Sequence, residues 1–204
     1  KVRRKFFGDC VPALSSNDRQ WKDAEEFCCA DIDDNPILVE MGVWDLSGNF
    51  NSCWVSVEVE DKLPPYIEAP DDITISCDFK FDLNNLSIFG DVVTSQAARQ
   101  DIVIDDPDYV RDCLGLPYTG PSVAGKDGYA ADNCSVVIYE NENIDMVCGR
   151  SKIVNGVYRP AITRVFTAED PDGRTASDVQ RIYIIDCDPF TVLDTDSKCR
   201  DRGL

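Results

Sequence analysis

The sequence contains no histidine, so Ser-His-Asp and Cys-His catalytic arrangements are excluded. A phosphate-binding loop and the glycine pattern of dinucleotide-binding folds are also missing. Carboxylates number 38, and at that abundance a close pair of the kind that glycosidases use would arise by chance. These absences predict a protein that is not an enzyme.

The chain also lacks a run of about 18 apolar residues, which predicts that no segment of it spans a membrane. Basic residues are few relative to acidic ones, and the net charge is −18. Nucleic acid is therefore excluded as a partner, because its phosphates require a basic face. The acidic balance favours solubility, calcium binding or a cationic partner. The sequence does not begin with methionine, which predicts a piece of a longer or processed protein.

Cysteine is abundant, at ten residues, and the even count favours disulfides and an extracellular or periplasmic location. Zinc is disfavoured because histidine and Cys-x-x-Cys pairs are both missing, although two cysteines are adjacent. The predicted pairings are Cys134 with Cys148, Cys77 with Cys113, Cys53 with either Cys28 or Cys29 (the other then pairing with Cys10), and Cys187 with Cys199.

One pattern occurs twice, 125 positions apart, over residues 41–61 and 166–186. Internal repetition of this kind is typical of modular arrays. The matching positions are Asp45 and Asp170, Gly48 and Gly173, Ser52 and Ser177, Asp61 and Asp186, and Pro64 and Pro189.

Each copy is predicted to form a β-hairpin, because apolar residues alternate on both sides of an Asp-x-x-Gly turn. Proline then ends the second strand, since it has no amide donor. The residues predicted to point into a core are Met41, Val43, Val55, Val57 and Val59 in the first copy, and Phe166, Ala168, Ile182 and Ile184 in the second.

Helical periodicity is weak, with at most a short turn at 21–27 or 92–100, so the predicted class is all-β. The predicted architecture is tandem immunoglobulin-like β-sandwiches braced by disulfides. The predicted organisation is a unit at 1–62, which lacks an opening strand, a proline-stiffened linker at 63–66, a unit at 67–187 with a long insertion at 84–130, and an acidic tail or the start of a further unit at 188–204.

Calcium is the leading cofactor candidate, although the fold requires none. A calcium ion needs six to eight oxygens, and a short acidic run on a loop can supply several of them. The candidate ligands are Asp105, Asp106 and Asp108, Asp170 and Asp172, and Asp194, Asp196 and Asp201, with a further acidic cluster at Asp31, Asp33 and Asp34.

Aromatic side chains raise a carbohydrate-binding alternative, with the 84–130 insertion forming the site. Tryptophans on a strand are also expected to serve as packing residues. The candidates for stacking on sugar rings are Trp44, Trp54, Tyr109, Tyr118 and Tyr129.

In the segment 57–77, valine first alternates with glutamate. Asp61 and two prolines follow, and the segment ends in a predicted strand at Cys77. Together with 132–135, 164–173 and 180–186, it resembles the hyalin-repeat (HYR) modules found in very large cell-surface proteins of gliding Bacteroidetes. The resemblance implies an immunoglobulin-like sandwich, attachment at the cell surface and no catalysis. Residues 1–35 and 84–130 depart from it.

We therefore expect a structural or adhesive repeat segment of a large secreted surface filament or adhesin, serving attachment or gliding motility. Its expected partners are neighbouring repeats of the same chain and a surface polysaccharide or protein. A carbohydrate-binding module and a strand-exchanging filament subunit are the alternatives.

Overall fold

The computed structural model describes residues 1–4, 21–32, 35–115, 122–147 and 149–186. The chain divides into two compact units between residues 63 and 64. Residues 133–135 belong to the first unit, and the flanking residues 132 and 136 belong to the second. The predicted division did not include this short segment.

The first unit contains a three-stranded antiparallel sheet in the order β1-β2-β3. Its strands are β1 (Val2–Arg4), β2 (Ile37–Trp44) and β3 (Phe50–Val57). A 3₁₀ turn at Cys29–Asp31 precedes β2. The central strand is therefore β2, and the described part of the unit is a single small sheet.

The apolar face of this sheet is only partly covered. Val39 is 4% exposed, whereas Met41 is 45%, Val43 is 69% and Val55 is 42% exposed. The prediction that these three point into a core is therefore wrong. The alternating pattern did identify residues on one face of a strand, but among the described residues of this unit no second sheet packs against that face.

The second unit has a four-stranded main sheet in the order β10-β15-β16-β5. The pairs β10–β15 and β15–β16 are antiparallel, and β16–β5 is parallel. The strands of the unit are β4 (Tyr66–Glu68), β5 (Ile73–Ser76), β6 (Val92–Val93), β7 (Asp101–Ile104), β8 (Ser122–Lys126), β9 (Gly128–Ala131), β10 (Val137–Ile144), β11 (Met146–Val147), β12 (Arg150–Ser151), β13 (Ile153–Val154), β14 (Val157–Tyr158), β15 (Ile162–Glu169) and β16 (Thr175–Ile185).

Smaller sheets accompany the main one. Strands β4, β9 and β6 form a three-stranded sheet, and the pairs β7–β8, β11–β12 and β13–β14 are two-stranded. The helical segments are 3₁₀ turns at Ser87–Phe89 and Gln96–Ala98 and a π-helical turn at Tyr109–Cys113. With at most five residues in any of these, the all-β prediction is confirmed. Among the described residues, no helix is long and apolar enough to cross a membrane.

The core of the second unit lies between the main sheet and the segment that follows β5. Phe166, Ala168, Ile182 and Ile184 are buried as predicted, because alternate residues of β15 and β16 face inward. The predicted insertion supplies core residues as well, so it is more than a surface elaboration. The residues of the insertion that belong to the main core cluster are Leu86, Phe89, Ile102 and Ile104, and Ala130 is also buried.

A buried arginine lies on the inward face of β15. The Arg164 guanidinium donates to the Gly90 carbonyl at 2.6 Å and to the side-chain oxygen of Gln180 at 2.8 Å, and it is also paired with Glu140. Gln180 in turn donates to the carbonyls of Asp71 and Phe89. This network joins two sheet strands to the loops that cross them.

Replacing Arg164 with methionine should lower the free energy of unfolding of the second unit by about 3–5 kcal/mol, because it leaves a buried carbonyl and an amide oxygen without their donor. Urea unfolding followed by circular dichroism measures the change. The matched control is Arg181→Met on β16, where an exposed ion pair with Asp72 is lost and the change should stay within about 0.5 kcal/mol. Equal effects of the two substitutions would contradict the assigned role of Arg164.

Candidate functional site

The two copies of the repeat close with the same turn. In each, the amide N–H of the aspartate donates to the carbonyl of the residue four positions on, Asn49 for Asp45 and Arg174 for Asp170. The glycine N–H donates back to the aspartate carbonyl at 3.1 Å in the first copy and 3.0 Å in the second. An aspartate Oδ1 accepts the fourth N–H at 2.8 Å in both copies.

Strand register is also the same in both copies. Trp44 pairs with Phe50, and at an offset of 125 positions Glu169 pairs with Thr175. The turn glycines adopt φ of 85° at Gly48 and 78° at Gly173, a conformation that glycine reaches without strain. The prediction of two Asp-x-x-Gly hairpins is confirmed.

Alanine at either turn glycine should cost about 1–2 kcal/mol, because an added Cβ meets no neighbouring atom at Gly48 or Gly173 and the cost comes from the positive φ alone. Asparagine tolerates this conformation better and should cost less at both positions. Thermal unfolding of the four single variants checks the equivalence. Clearly different alanine costs at the two sites would show that the turns are not equivalent.

The acidic groups predicted to bind calcium at the second turn are held by an arginine. Asp170 is buried, and its Oδ2 lies 3.7 Å from the Arg174 guanidinium. Asp172 accepts from the same guanidinium at 2.7 Å. Both carboxylates therefore face a positive charge that the chain itself supplies. The turn N–H of Arg174 satisfies Asp170 Oδ1, whereas the buried Oδ2 accepts no hydrogen bond among the described residues.

The acidic run after β7 is likewise engaged by protein donors. Asp106 is buried and accepts three hydrogen bonds, two from Ser76 at 2.7 and 2.9 Å and one from the N–H of Tyr109 at 3.1 Å. Asp108 pairs with Arg111, while Asp105 is exposed. Asp106 thus ties β5 to the start of the π-helical turn, a structural role that the acidic pattern alone did not indicate.

Asp31 forms a buried ion pair in the first unit. Its carboxylate accepts two hydrogen bonds from the Arg4 guanidinium at 2.5 and 2.9 Å and one from the Cys28 N–H at 2.8 Å. Burial raises the pKa of this carboxyl, but the hydrogen bonds and the charge of Arg4 outweigh it, so the pKa is lowered overall. The pair joins β1 to the 3₁₀ turn.

Because the native pKa of Asp31 is lowered, its ionised form stabilises the fold above the ordinary carboxyl range, and this stability is lost as the pH falls below about 4. Asp31→Asn should cost about 3 kcal/mol at pH 7, and the difference from wild type should shrink in acid. Thermal unfolding between pH 7 and pH 3 measures it. The control is Asp23→Asn, which removes an exposed pair with Lys1 and should change little at any pH.

Three of the predicted cysteine pairings differ from those in the structure, and the pairing of Cys187 with Cys199 lies outside the described residues. Cys29 bonds to Cys134, which contradicts the pairing of Cys134 with Cys148. Cys53 and Cys77 are free thiols, so the predicted bonds of Cys53 to Cys28 or Cys29 and of Cys77 to Cys113 are wrong. Cys28 and Cys113 are disulfide-bonded. Cys53 lies on an exposed strand face, and burial raises the pKa of the Cys77 thiol.

Three aromatic rings form a cluster on the face of the first sheet that carries Gly42. Trp21 lies edge-on to Trp44 at 5.0 Å and to Phe50 at 5.6 Å, and Trp44 and Phe50 are 4.7 Å apart between ring centroids. A Cβ on Gly42 would meet the Trp21 ring at 2.7 Å, so glycine is what allows the ring to lie on the sheet. We call Trp21, Trp44 and Phe50 the aromatic cluster.

A charged pair borders the aromatic cluster. The Arg3 guanidinium lies 4.3 Å from the Trp21 ring centroid and donates to Glu40 at 2.8 Å. Burial raises the pKa of Glu40, but hydrogen bonds from Ser52 and Arg3 and the charge of Arg3 lower it overall. Trp44 is 43% and Phe50 48% exposed. The cluster therefore packs internally, as predicted for Trp44, and still presents ring surface to solvent.

The other predicted stacking residues are not gathered at one place. Trp54 is exposed on β3, and Tyr109 is half-buried in the π-helical turn. Tyr129 lies beside Tyr66, with ring centroids 6.2 Å apart. Some of the predicted residues lie outside the described part of the chain, namely Cys10, Cys148, Cys187, Cys199, Asp33, Asp34, Asp194, Asp196, Asp201, Tyr118 and the tail 188–204.

Sequence reasoning missed Trp21 and Arg3 as members of a shared face. The sequence signal for this face was weak. Trp21 lies outside any regular strand, and Gly42, whose missing Cβ leaves room for the Trp21 ring, interrupts an alternating pattern. Arg164 was more accessible to prediction, since it shares the inward parity of Ile162 and Phe166 on β15.

Comparisons of the chain with protein-family models, with curated proteins and with solved structures find no match.

Proposed function

We propose that the chain is a structural and adhesive segment of a larger secreted surface filament or adhesin, that it serves attachment or gliding motility, and that it carries out no catalysis. The observation that carries the proposal is the hairpin built twice with one register and one set of turn bonds, 125 residues apart. Such duplication is typical of proteins that are built from tandem repeats of one unit.

The second unit favours an immunoglobulin-like sandwich. The buried residues of β5, β15 and β16 pack against Ile102 and Ile104 of β7, so two layers share one core. Antiparallel sheets that pack face to face are the usual frame of extracellular adhesive modules. The proposal extends this architecture to the first unit, where the same hairpin recurs.

Disulfide bonding favours a location outside the cytosol. Bonds such as Cys29–Cys134 persist in oxidising surroundings and are rare where thiols are kept reduced. A net charge of −18 also keeps copies of a crowded surface protein apart. Both features fit a segment that is exposed to the exterior of the cell.

Electron microscopy of the full-length native protein from its source tests this proposal. The expected result is a long thread with beads at domain spacing, with or without joints between subunits. A compact particle with no repeated units would overturn the proposal. Labelling of intact cells with an antibody against residues 64–132 should in addition mark the cell surface, and signal seen only after lysis would argue against it.

A carbohydrate-binding role is the second candidate, and the aromatic cluster is the observation that favours it. Exposed tryptophan and phenylalanine rings offer flat apolar faces of the kind that pack against sugar rings. The strongly acidic chain disfavours anionic polysaccharides, so a neutral glycan is the expected ligand.

Binding of neutral glycans on an array should fall at least tenfold in Trp44→Ala and in Phe50→Ala, because each removes ring surface from the aromatic cluster. Tyr66→Ala, which removes an exposed ring in the second unit, is the matched control and should leave binding unchanged. An array on which the wild-type chain binds no glycan would eliminate this candidate and leave the adhesive proposal untouched.

A further inference from the structure

The second unit carries a short hairpin, residues 152–159, that we call the apolar hairpin. Its strands, β13 and β14, are joined by a two-residue turn at Asn155 and Gly156. Both turn residues have positive φ, 52° and 78°, which is the conformation that a two-residue hairpin turn favours. At the base, the Arg159 N–H donates to the Lys152 carbonyl at 2.7 Å, so the pairing extends one residue beyond the two strands.

Both faces of the apolar hairpin are exposed. Ile153 and Tyr158 pair across one face, where they are 60% and 41% exposed. Val154 and Val157 pair across the other face, where they are 42% and 61% exposed. An antiparallel pair in a folded domain commonly packs one face on a core. Apolar side chains exposed together on both faces indicate a surface that contacts another protein or a membrane.

The apolar hairpin also lies in a part of the sequence that lacks acidic residues. Residues 146–168 contain no aspartate or glutamate, and this is the longest such stretch in a chain with 38 acidic residues. Lys152 and Arg159 lie opposite each other at the base of the hairpin. Lys152 is paired with Asp145, and Arg159 is exposed. The base therefore presents positive charge, although the chain as a whole is strongly negative.

We propose that the apolar hairpin inserts into the interfacial layer of a membrane of zwitterionic phospholipid. A membrane surrounds an inserted hairpin and covers both of its faces at once, whereas a sheet of a partner protein covers one. The ring of Tyr158 is apolar and its hydroxyl is polar, a combination that is enriched at the membrane–water interface. The cations at the base, Lys152 and Arg159, contact the lipid phosphates.

The dimensions of the apolar hairpin fit shallow insertion. From the Lys152–Arg159 pair to the Val154–Val157 pair the strands rise two residues, about 7 Å. Interfacial segments enter a membrane to a depth of roughly 5–10 Å. Deeper insertion is disfavoured, because the Asn155 amide and the outward backbone groups of the two strands would lose their contact with water.

The charge of the chain determines the class of lipid. At a net charge of −18 the chain is repelled by an anionic membrane, whereas a zwitterionic membrane carries no net charge. At physiological salt, acidic groups farther than about 8–10 Å from the membrane are also screened. The proposal does not rest on the proposed function, because it concerns lipid binding by the isolated chain.

Flotation of the 204-residue chain with phosphatidylcholine vesicles tests the proposal. The wild-type chain should float with the vesicles, and the double variant Ile153→Ser with Val157→Ser should bind more weakly by about tenfold or more, because it removes one apolar side chain from each face. The matched control is Val137→Ser, which removes a valine that is 55% exposed on β10 and should leave binding unchanged. All three side chains are exposed, and circular dichroism verifies that the variants fold.

Arg159→Glu tests the base of the hairpin. It places a negative charge at the level of the lipid phosphates and should weaken binding by roughly threefold or more. Lys80→Glu changes the net charge by the same amount at an exposed site elsewhere in the second unit, and it should have no effect. Equal effects of the two substitutions would show that only the net charge matters and would overturn the assigned role of the base.

A wild-type chain that stays unbound at about 1 mM lipid, where a single shallow anchor is already bound, would overturn the proposal. Equal binding of the wild-type chain and the double variant would also overturn it. Self-association that the double variant abolishes, without vesicle binding, would assign the apolar hairpin to a protein contact instead. None of these results bears on electron microscopy of the full-length protein, so the two proposals fail independently.

Discussion

The second unit depends on one buried cation. Arg164 lies 1% exposed inside an acidic protein, and its hydrogen bonds reach a neighbouring strand at Gln180 and a loop carbonyl at Gly90. An uncompensated charge at that depth would cost several kcal/mol, so the sheet and the loops that supply its acceptors stabilise each other. Gln180 extends the same requirement to Asp71 and Phe89. The network therefore couples the placement of these loops to the stability of the sheet.

The same hairpin exists in two packing environments in this chain. In the second unit its inward face is buried against a core that includes Phe89, and its second strand, β16, also pairs with β5. In the first unit, the described sheet has three strands, and Met41 and Val43 remain exposed. Local sequence therefore determines the turn and the register, while burial depends on what packs against the hairpin. Comparing the two copies therefore distinguishes the effect of local sequence from the effect of packing within one molecule.

The all-β class and both turns could be predicted because they depend on local chemistry: the alternating pattern, and an aspartate and a glycine at fixed spacing. The disulfide between Cys29 and Cys134 could not, since spacing along the chain says little about which distant loops meet. The roles of the acidic residues were also beyond sequence reasoning. Asp31 and Asp106 accept hydrogen bonds from donors far away in sequence. The sequence alone does not distinguish a calcium ligand from a buried structural carboxylate.

The disulfide between Cys29 and Cys134 has a sequence separation of 105 residues. During synthesis at about 5–20 residues per second, the Cys29 thiol exists for roughly 5–20 s before its partner has even been made. Through that interval Cys29 can meet only the cysteines that are made before residue 134, and any bond that Cys29 forms with one of them must later be exchanged. They are Cys10, Cys28, Cys53, Cys77 and Cys113. Native pairing of Cys29 is therefore favoured by an environment in which early disulfides can be exchanged.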